Sequence, residues 1–205
     1  MILFVCEGNV CRSPLAAAVL QKSISTALGI TTGSAGTRAL EGEAADAGTA
    51  QIAASHGISL AGHTARQLTP ELLASAEMVV TATRQIRSAA VQTYPPSVKY
   101  VFTMRQLARI LRATESGFEG SGLTGSALVA ELARSVNREK SRILAPQGND
   151  DDIADPRGRS TRIQNQVAEQ VVEAVGELAR ALGAEPVAWA PVRGQRWDIP
   201  GTAAG

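Results

Sequence analysis

The sequence predicts an α/β fold, a doubly wound parallel sheet of four strands with helices on both faces, and three observations carry that prediction. Short apolar runs alternate along the chain with segments whose apolar residues recur at helical spacing. The first run, Ile2 to Val5, is apolar at every position, as a strand covered on both faces must be. Proline, glycine and Ser/Thr punctuation falls at the ends of the helical segments, as in Ser13-Pro14, His56-Gly57 and Thr69-Pro70.

Taken in order, ILFV at 2–5 is the first strand, and it stops abruptly at Cys6. After the polar, Gly-containing stretch Glu7 to Arg12, Ser13 is the expected N-cap and Pro14 the first helical residue of LAAAVLQKSISTAL. A strand is expected near 31–35, then helices around 44–55 and 70–75. A strand at 77–81, a helix from 84 to 93, a strand at 98–101 (VKYV) and a helix from 104 to 112 continue the alternation. Gly117, Gly120, Gly122, Gly125 and the polar run through Asn149 and Asp150 then break the rhythm, so about 113–150 reads as a Gly-rich insertion, with LVAELARSV as one short helix. A long apolar-periodic helix from Thr161 to Leu182 closes a single domain, 1–182. Residues 183–205, with Pro186, Pro191 and Pro200, read as a flexible tail that Trp189 and Trp197 can pin in parts.

Composition narrows the function. Among 205 residues, 20 Lys and Arg stand against 19 Asp and Glu, so no bulk charge favours nucleic acid or a membrane surface, and any anion site must be local. No run reaches the roughly 18 apolar residues of a membrane span. MILFVCEGN enters a strand with no basic leader, which leads to the expectation of a cytoplasmic protein. The two cysteines, Cys6 and Cys11, lie too close to staple a fold, and with two distant histidines they make no familiar zinc spacing, so no metal or cofactor is expected and reactivity is the role left.

The chemistry concentrates in Cys6-Glu7-Gly8-Asn9-Val10-Cys11-Arg12-Ser13-Pro14, where the first strand gives way to the first helix. A helix N-terminus at the carboxyl end of a strand offers unpaired N–H groups and partial positive charge. Gly8 and Asn9 tolerate left-handed backbone, so the amides from Glu7 through Ser13 can turn inward around one tetrahedral anion. Amides, helix end and the Arg12 guanidinium all favour the thiolate of Cys6. Arg12 has the planar fork that grips two phosphate oxygens, and Ser13 is placed to donate to the sulfur. These residue types describe covalent phosphoryl transfer through cysteine.

C-x5-R-S-P directly after an N-terminal strand resembles the low-molecular-weight protein tyrosine phosphatase family. Ser34-Ala35-Gly36-Thr37 resembles its SAGT signature, His63-Thr64-Ala65-Arg66-Gln67 its H-x-A-R-Q segment, and Asp155-Pro156 its late acid loop, so the likeness covers roughly 1–112 and 150–182. It implies a flavodoxin-like fold, no metal, a cysteinyl-phosphate intermediate, a tyrosine-phosphorylated protein as substrate and inorganic phosphate as product. By the same likeness Asp155 is the general acid and base, Asn9, Ser13, Ser34 and His63 support the phosphate loop, and Cys11 is a redox thiol able to trap oxidised Cys6. Arg66 and Arg84 read as solvated or helix-end charges.

The chain departs from the family where an aromatic residue often follows the acid-loop proline; here Arg157 and Gly158 stand instead. DIADPRGRS is closer to the bacterial branch, which includes protein arginine phosphatases, but those tend to carry Thr where this chain has Val10, so Val10 points to phosphotyrosine. Glu7 puts a carboxylate beside the nucleophile, positioned to repel a second anionic group. Thiol-coupled arsenate reductases share the fold, yet the thioredoxin-coupled type needs further cysteines, and none follows Cys11. A phosphate-docking module without turnover is the remaining rival, opposed by the joint presence of Cys6, Arg12 and Asp155.

Overall fold

Five consecutive buried residues, Ile2–Cys6, form β1, flanked by Thr32–Gly36 (β2) on one side and Met78–Thr81 (β3) on the other, with Val101–Thr103 (β4) at the outer edge. All pairings are parallel and the order is β2-β1-β3-β4, as in a flavodoxin-like sheet. The computed structural model describes residues 1–114, 122–143 and 150–189; Gly117, Gly120, Asn149 and Trp197 of the sequence reading lie outside them. The helices are α1 (Arg12–Ser23), α2 (Ala47–Ser55), α3 (Pro70–Ala74), α4 (Arg84–Thr93), α5 (Met104–Thr114), α6 (Gly125–Glu139) and α7 (Thr161–Ala181).

Side-chain alternation along β1 divides the core. Ile2 and Phe4, with Met78, Val80 and Phe102, face α1, α5, α6 and α7; Leu3 and Val5, with Val79 and Val101, face α3 and α4. Because both of its faces are covered, the central strand β1 carries no polar-out position, which is why ILFV is a continuous apolar run. The chain leaves β1 for β2 on one side and returns across it to β3 on the other, so the crevice outside the carboxyl ends of β1 and β3 is the switch point where open α/β sheets bind ligands. Cys6, the last residue of β1, stands at that crevice.

Three expectations change. The strand expected at 98–101 is Val101–Thr103, because Pro95 and Pro96 open a 3₁₀ turn through Lys99 that leaves Val98 half exposed and delays pairing with β3. Helix α1 begins at Arg12, and Ser13 does not cap it; its hydroxyl is taken by the site described below. The helix in the Gly-rich stretch is 15 residues long, and Leu128, Val129, Leu132 and Val136 bury into the main core, each contributing about 1.5–3 kcal/mol of transfer free energy. Residues 184–189 of the segment read as a tail lie on the body, with Trp189 stacked on His56 at 3.7 Å between ring centroids. No helix among the described residues is long and apolar enough to cross a membrane.

Candidate active site

Between β1 and α1 the backbone turns through Asn9, whose φ of 57° is the only positive value among the described non-glycine residues. The turn makes the loop's carbonyls point outward, and each is met there. Cys6, Glu7, Gly8 and Val10 carbonyls accept from the N–H groups of Thr37, Arg38, Leu40 and Asp46 at 3.0, 3.0, 3.0 and 2.8 Å. The Asn9 carbonyl accepts from His63 Nε2 at 2.6 Å, which assigns the ring proton to Nε2. The amides of Glu7, Gly8, Val10 and Cys11 have no acceptor in the described chain, and the Asn9 N–H donates to Cys6 Sγ at 3.2 Å. Successive inward amides around a sulfur at the start of a 12-residue helix are an anion nest.

A layer of side chains holds this shape. Asn9 and Ser13 are fully buried; Asn9 Nδ2 donates to Ser13 Oγ at 2.9 Å, and Oγ lies 2.9 Å from Cys6 Sγ, which leaves its proton for the sulfur in preference to the Ala35 carbonyl at 3.4 Å. Asn9 Oδ1 accepts the backbone N–H of Arg66 at 2.9 Å. Gly36 lets β2 approach: a Cβ there would sit 2.4 Å from the Glu7 carbonyl. Ser34 reaches the loop only through Arg66, whose Nε donates to the Ser34 carbonyl at 2.8 Å; no hydrogen bond joins the Ser34 hydroxyl to the phosphate loop among the described residues.

Arg12 is 4% exposed yet lies under the open cavity. Its Nη1 donates to the Ile153 carbonyl at 3.0 Å, its Nη2 pairs with Asp155 Oδ2 at 3.0 Å, and its buried Nε has no partner among the described residues. A buried guanidinium with a donor to spare at a nest of amides suits a bidentate oxyanion. Asp155, with 46% of its side chain exposed, stands across from Cys6, and its Oδ1 accepts the Arg157 N–H at 3.2 Å across Pro156. The cavity over the sulfur holds about 220 Å³, and a groove of about 420 Å³ shares Glu7, Arg12, Arg38 and Asp155 with it.

The rim is built from ion pairs. The Glu7 carboxylate is paired with Arg38, so the repulsive charge expected from the sequence is compensated, and Arg157 lies 3.7 Å from Glu43. Cys11 is buried against Thr49 on the far side of the loop, and burial pushes its thiol up to about 12, opposed in part by the hydrogen bond with Thr49. Cys11 is therefore a neutral thiol at physiological pH.

The structure thus brings Cys6, Arg12, Ser13, Asn9, His63 and Asp155 together and places Glu7, Gly8, Val10 and Cys11 around the same cavity. Arg66 is exposed, as a solvated charge should be, and in addition its backbone N–H holds Asn9 Oδ1 while its Nε meets the β2 carbonyl of Ser34, a role the sequence reading did not assign; nor did it assign the 37–46 segment that satisfies the loop's carbonyls. A backbone donor has no residue-type signal, so only the SAGT likeness marked that segment.

The family model described as low molecular weight phosphotyrosine protein phosphatase matches residues 1–115. The chain is 37% identical over 153 residues to low molecular weight protein-tyrosine-phosphatase Wzb of Salmonella typhimurium, covering 72% of this chain and 96% of that protein. It is 35% identical over 106 residues to the probable low molecular weight protein-tyrosine-phosphatase EpsP of Ralstonia nicotianae, covering 52% of this chain and 71% of that one. In structure it resembles the YwlE arginine phosphatase of Geobacillus stearothermophilus, with a TM-score of 0.62, 27% identity, and coverage of 89% of this chain and 92% of that one. Geometry and sequence agree that the chain belongs to the low molecular weight phosphotyrosine protein phosphatase family and is a phosphatase of that class.

Proposed function

We propose that this protein removes phosphate from phosphotyrosine on proteins through a cysteinyl-phosphate. The Cys6 sulfur attacks phosphorus in line with the ester oxygen; the S–P bond forms as the P–O bond breaks, and Asp155 gives its proton to the departing phenolate, which leaves as a phenol. Asp155, now a carboxylate, takes a proton from water as that water attacks the thiophosphate, and inorganic phosphate leaves with Cys6 restored. The inward amides and Arg12 hold the three non-bridging oxygens, on which charge accumulates in the transition state. Ser13 stabilises the sulfur as it becomes the leaving group, and Asn9, His63 and Arg66 keep the nest from relaxing.

The observation that carries this reading is the buried Cys6 sulfur set among unpartnered amides, with a spare Arg12 donor in the same cavity and Asp155 in its wall. A catalytic thiol works only while reduced, which supports a cytoplasmic location. Among the described residues the cavity is lined by no aromatic side chain, which favours binding through the phosphate over stacking of the substrate ring. Val10 in the loop favours phosphotyrosine, by family likeness.

Steady-state turnover of matched peptides carrying phosphotyrosine or phosphoarginine tests the substrate class, with Cys6→Ser as the control. The expected result is higher kcat/KM on phosphotyrosine and no turnover by Cys6→Ser. Preference for phosphoarginine would overturn the substrate assignment, and an active Cys6→Ser would overturn the mechanism.

A further inference from the structure

The loop bearing Asp155 is anchored upstream of that residue. Asp151 is 4% exposed, and its carboxylate faces the guanidinium of Arg109 on α5, Nη1 toward Oδ1 and Nη2 toward Oδ2 at 3.4 Å. Asp152 Oδ1 accepts the backbone N–H of Arg84, the first residue of α4, at 2.7 Å. Ile153 is fully buried, donates its N–H to the Ala82 carbonyl at 2.9 Å, and offers its own carbonyl to Arg12 Nη1 at 3.0 Å. Two residues on, Asp155 is half exposed and pairs with the same guanidinium through Nη2.

A buried carboxylate paired with a largely buried arginine is an expensive way to hold a loop, because desolvating both charges offsets most of their attraction and apolar side chains would pack there at lower cost. What a two-pronged ion pair adds over apolar contact is direction. Here that direction is passed along two peptide units to the Ile153 carbonyl, hence to Arg12, and along four to Asp155.

We propose that the Arg109–Asp151 ion pair positions the acid loop, so that Asp155 meets the leaving oxygen while the phosphate loop holds phosphorus. Arg109 and Asp151 are positioning residues that do not touch the substrate. The inference rests on the reading of Asp155 as the general acid. Loosening the pair leaves the cradle's amides and the buried Arg12 in place, because among the described residues none of their hydrogen bonds is made to α5 itself, and it degrades proton delivery. The loss therefore grows as the leaving group becomes a poorer one.

The test compares kcat/KM for phenyl phosphate and 2,4-dinitrophenyl phosphate in Asp151→Asn, Arg109→Met and Arg109→Lys, with thermal unfolding followed alongside. Asp151→Asn and Arg109→Met are expected to lose about tenfold on phenyl phosphate and less than about threefold on the dinitrophenyl ester, a part of the ~100-fold or more that general acid catalysis supplies. Arg109→Lys, which keeps the charge but not the two-pronged grip, should recover only a minor part of the loss. Should Asp151→Asn fail to fold, the two Arg109 variants carry the comparison. A lowered Tm with an unchanged ratio between the two esters, or an equal loss on both, would overturn the inference. Asp155→Asn separates the two layers: if it steepens the leaving-group dependence and the Asp151 and Arg109 variants do not, only the positioning role fails, and if it does not, both readings fall.

Discussion

From Cys6 to Val10 every carbonyl accepts a hydrogen bond from a neighbouring segment, and Asn9 and Ser13 have no exposed surface, whereas Asp155 on the acid loop shows 46% of its side chain to solvent and holds only Arg12 and the N–H of Arg157. The two loops meet over one sulfur but are held by different means. The phosphate loop is braced at each peptide by β2, the 37–46 segment and the 63–66 segment, so its amides are oriented before any anion arrives. The acid loop is clamped at residues 151–153, and Asp155 beyond the clamp is half exposed, which leaves it the reach that the proposed acid and base role requires. Under the proposed mechanism, rigidity lies where charge would accumulate on the non-bridging oxygens, and freedom lies where a proton would change hands.

Breaking the exposed side of this comparison should have the largest effect. Asp155→Ala is expected to slow kcat/KM on phenyl phosphate by about 10²–10⁴ and to affect dinitrophenyl phosphate least; equal losses on the two esters in stopped assays would show that Asp155 is not the proton donor. On the buried side, Asn9→Ala places a Cβ-bearing residue without a capping side chain at φ 57° and removes the bonds to Ser13 Oγ and the Arg66 N–H. A stability loss of about 2–4 kcal/mol in urea unfolding is expected, with turnover down roughly tenfold or more. Asn9→Gly tolerates the dihedral, loses the same bonds, and should be about 1 kcal/mol less damaging, so the pair of variants separates backbone strain from the lost hydrogen bonds.

The smallest effect concerns the far wall of the phosphate loop. Cys11 ionises near 9.0 when unfolded and is pushed up to about 12 in the fold by burial. Well below pH 9 the thiol is protonated in both states and contributes no pH dependence. Between the two values the unfolded chain has given up a proton that the folded chain keeps, so stability falls as pH rises, by at most about 1.4 kcal/mol per pH unit from this group. Chemical unfolding of Cys11→Ala at pH 8 and pH 10 should show a shallower decline than the parent; an equal decline would mean that Cys11 is not desolvated.

Much of the nucleophile's half of the site was legible because it is local. An apolar run ending in Cys6, a residue able to turn left-handed at Asn9, and Arg12 six positions after Cys6 encode strand, nest and guanidinium within residues 2–12, and the helix that follows needs only its own periodicity. Asp155 was legible only by likeness, since Asp150, Asp151 and Asp152 offer the same side chain nearby. Nothing in the sequence told Arg66 or Arg109 from the chain's other arginines, because what distinguishes them is the carbonyl or carboxylate they meet across 30 to 60 residues of chain. The strand at 101–103 was displaced because the turn opened by Pro95 and Pro96 takes up Val98 and Lys99, and pairing with β3 starts only at Val101.

Taken alone, the order of residues determined the alternation of strands and helices, the anion-binding turn after β1 and the chemical type of its nucleophile, all of which depend on dihedral preference and periodicity over a few residues. The tertiary structure decided which groups hold that turn open, that Glu7 is neutralised by Arg38, that Cys11 is a buried neutral thiol, and that the acid loop is tied back to α5. Those are facts of burial and of distance between remote segments, and they come into being only when the sheet brings its carboxyl ends together.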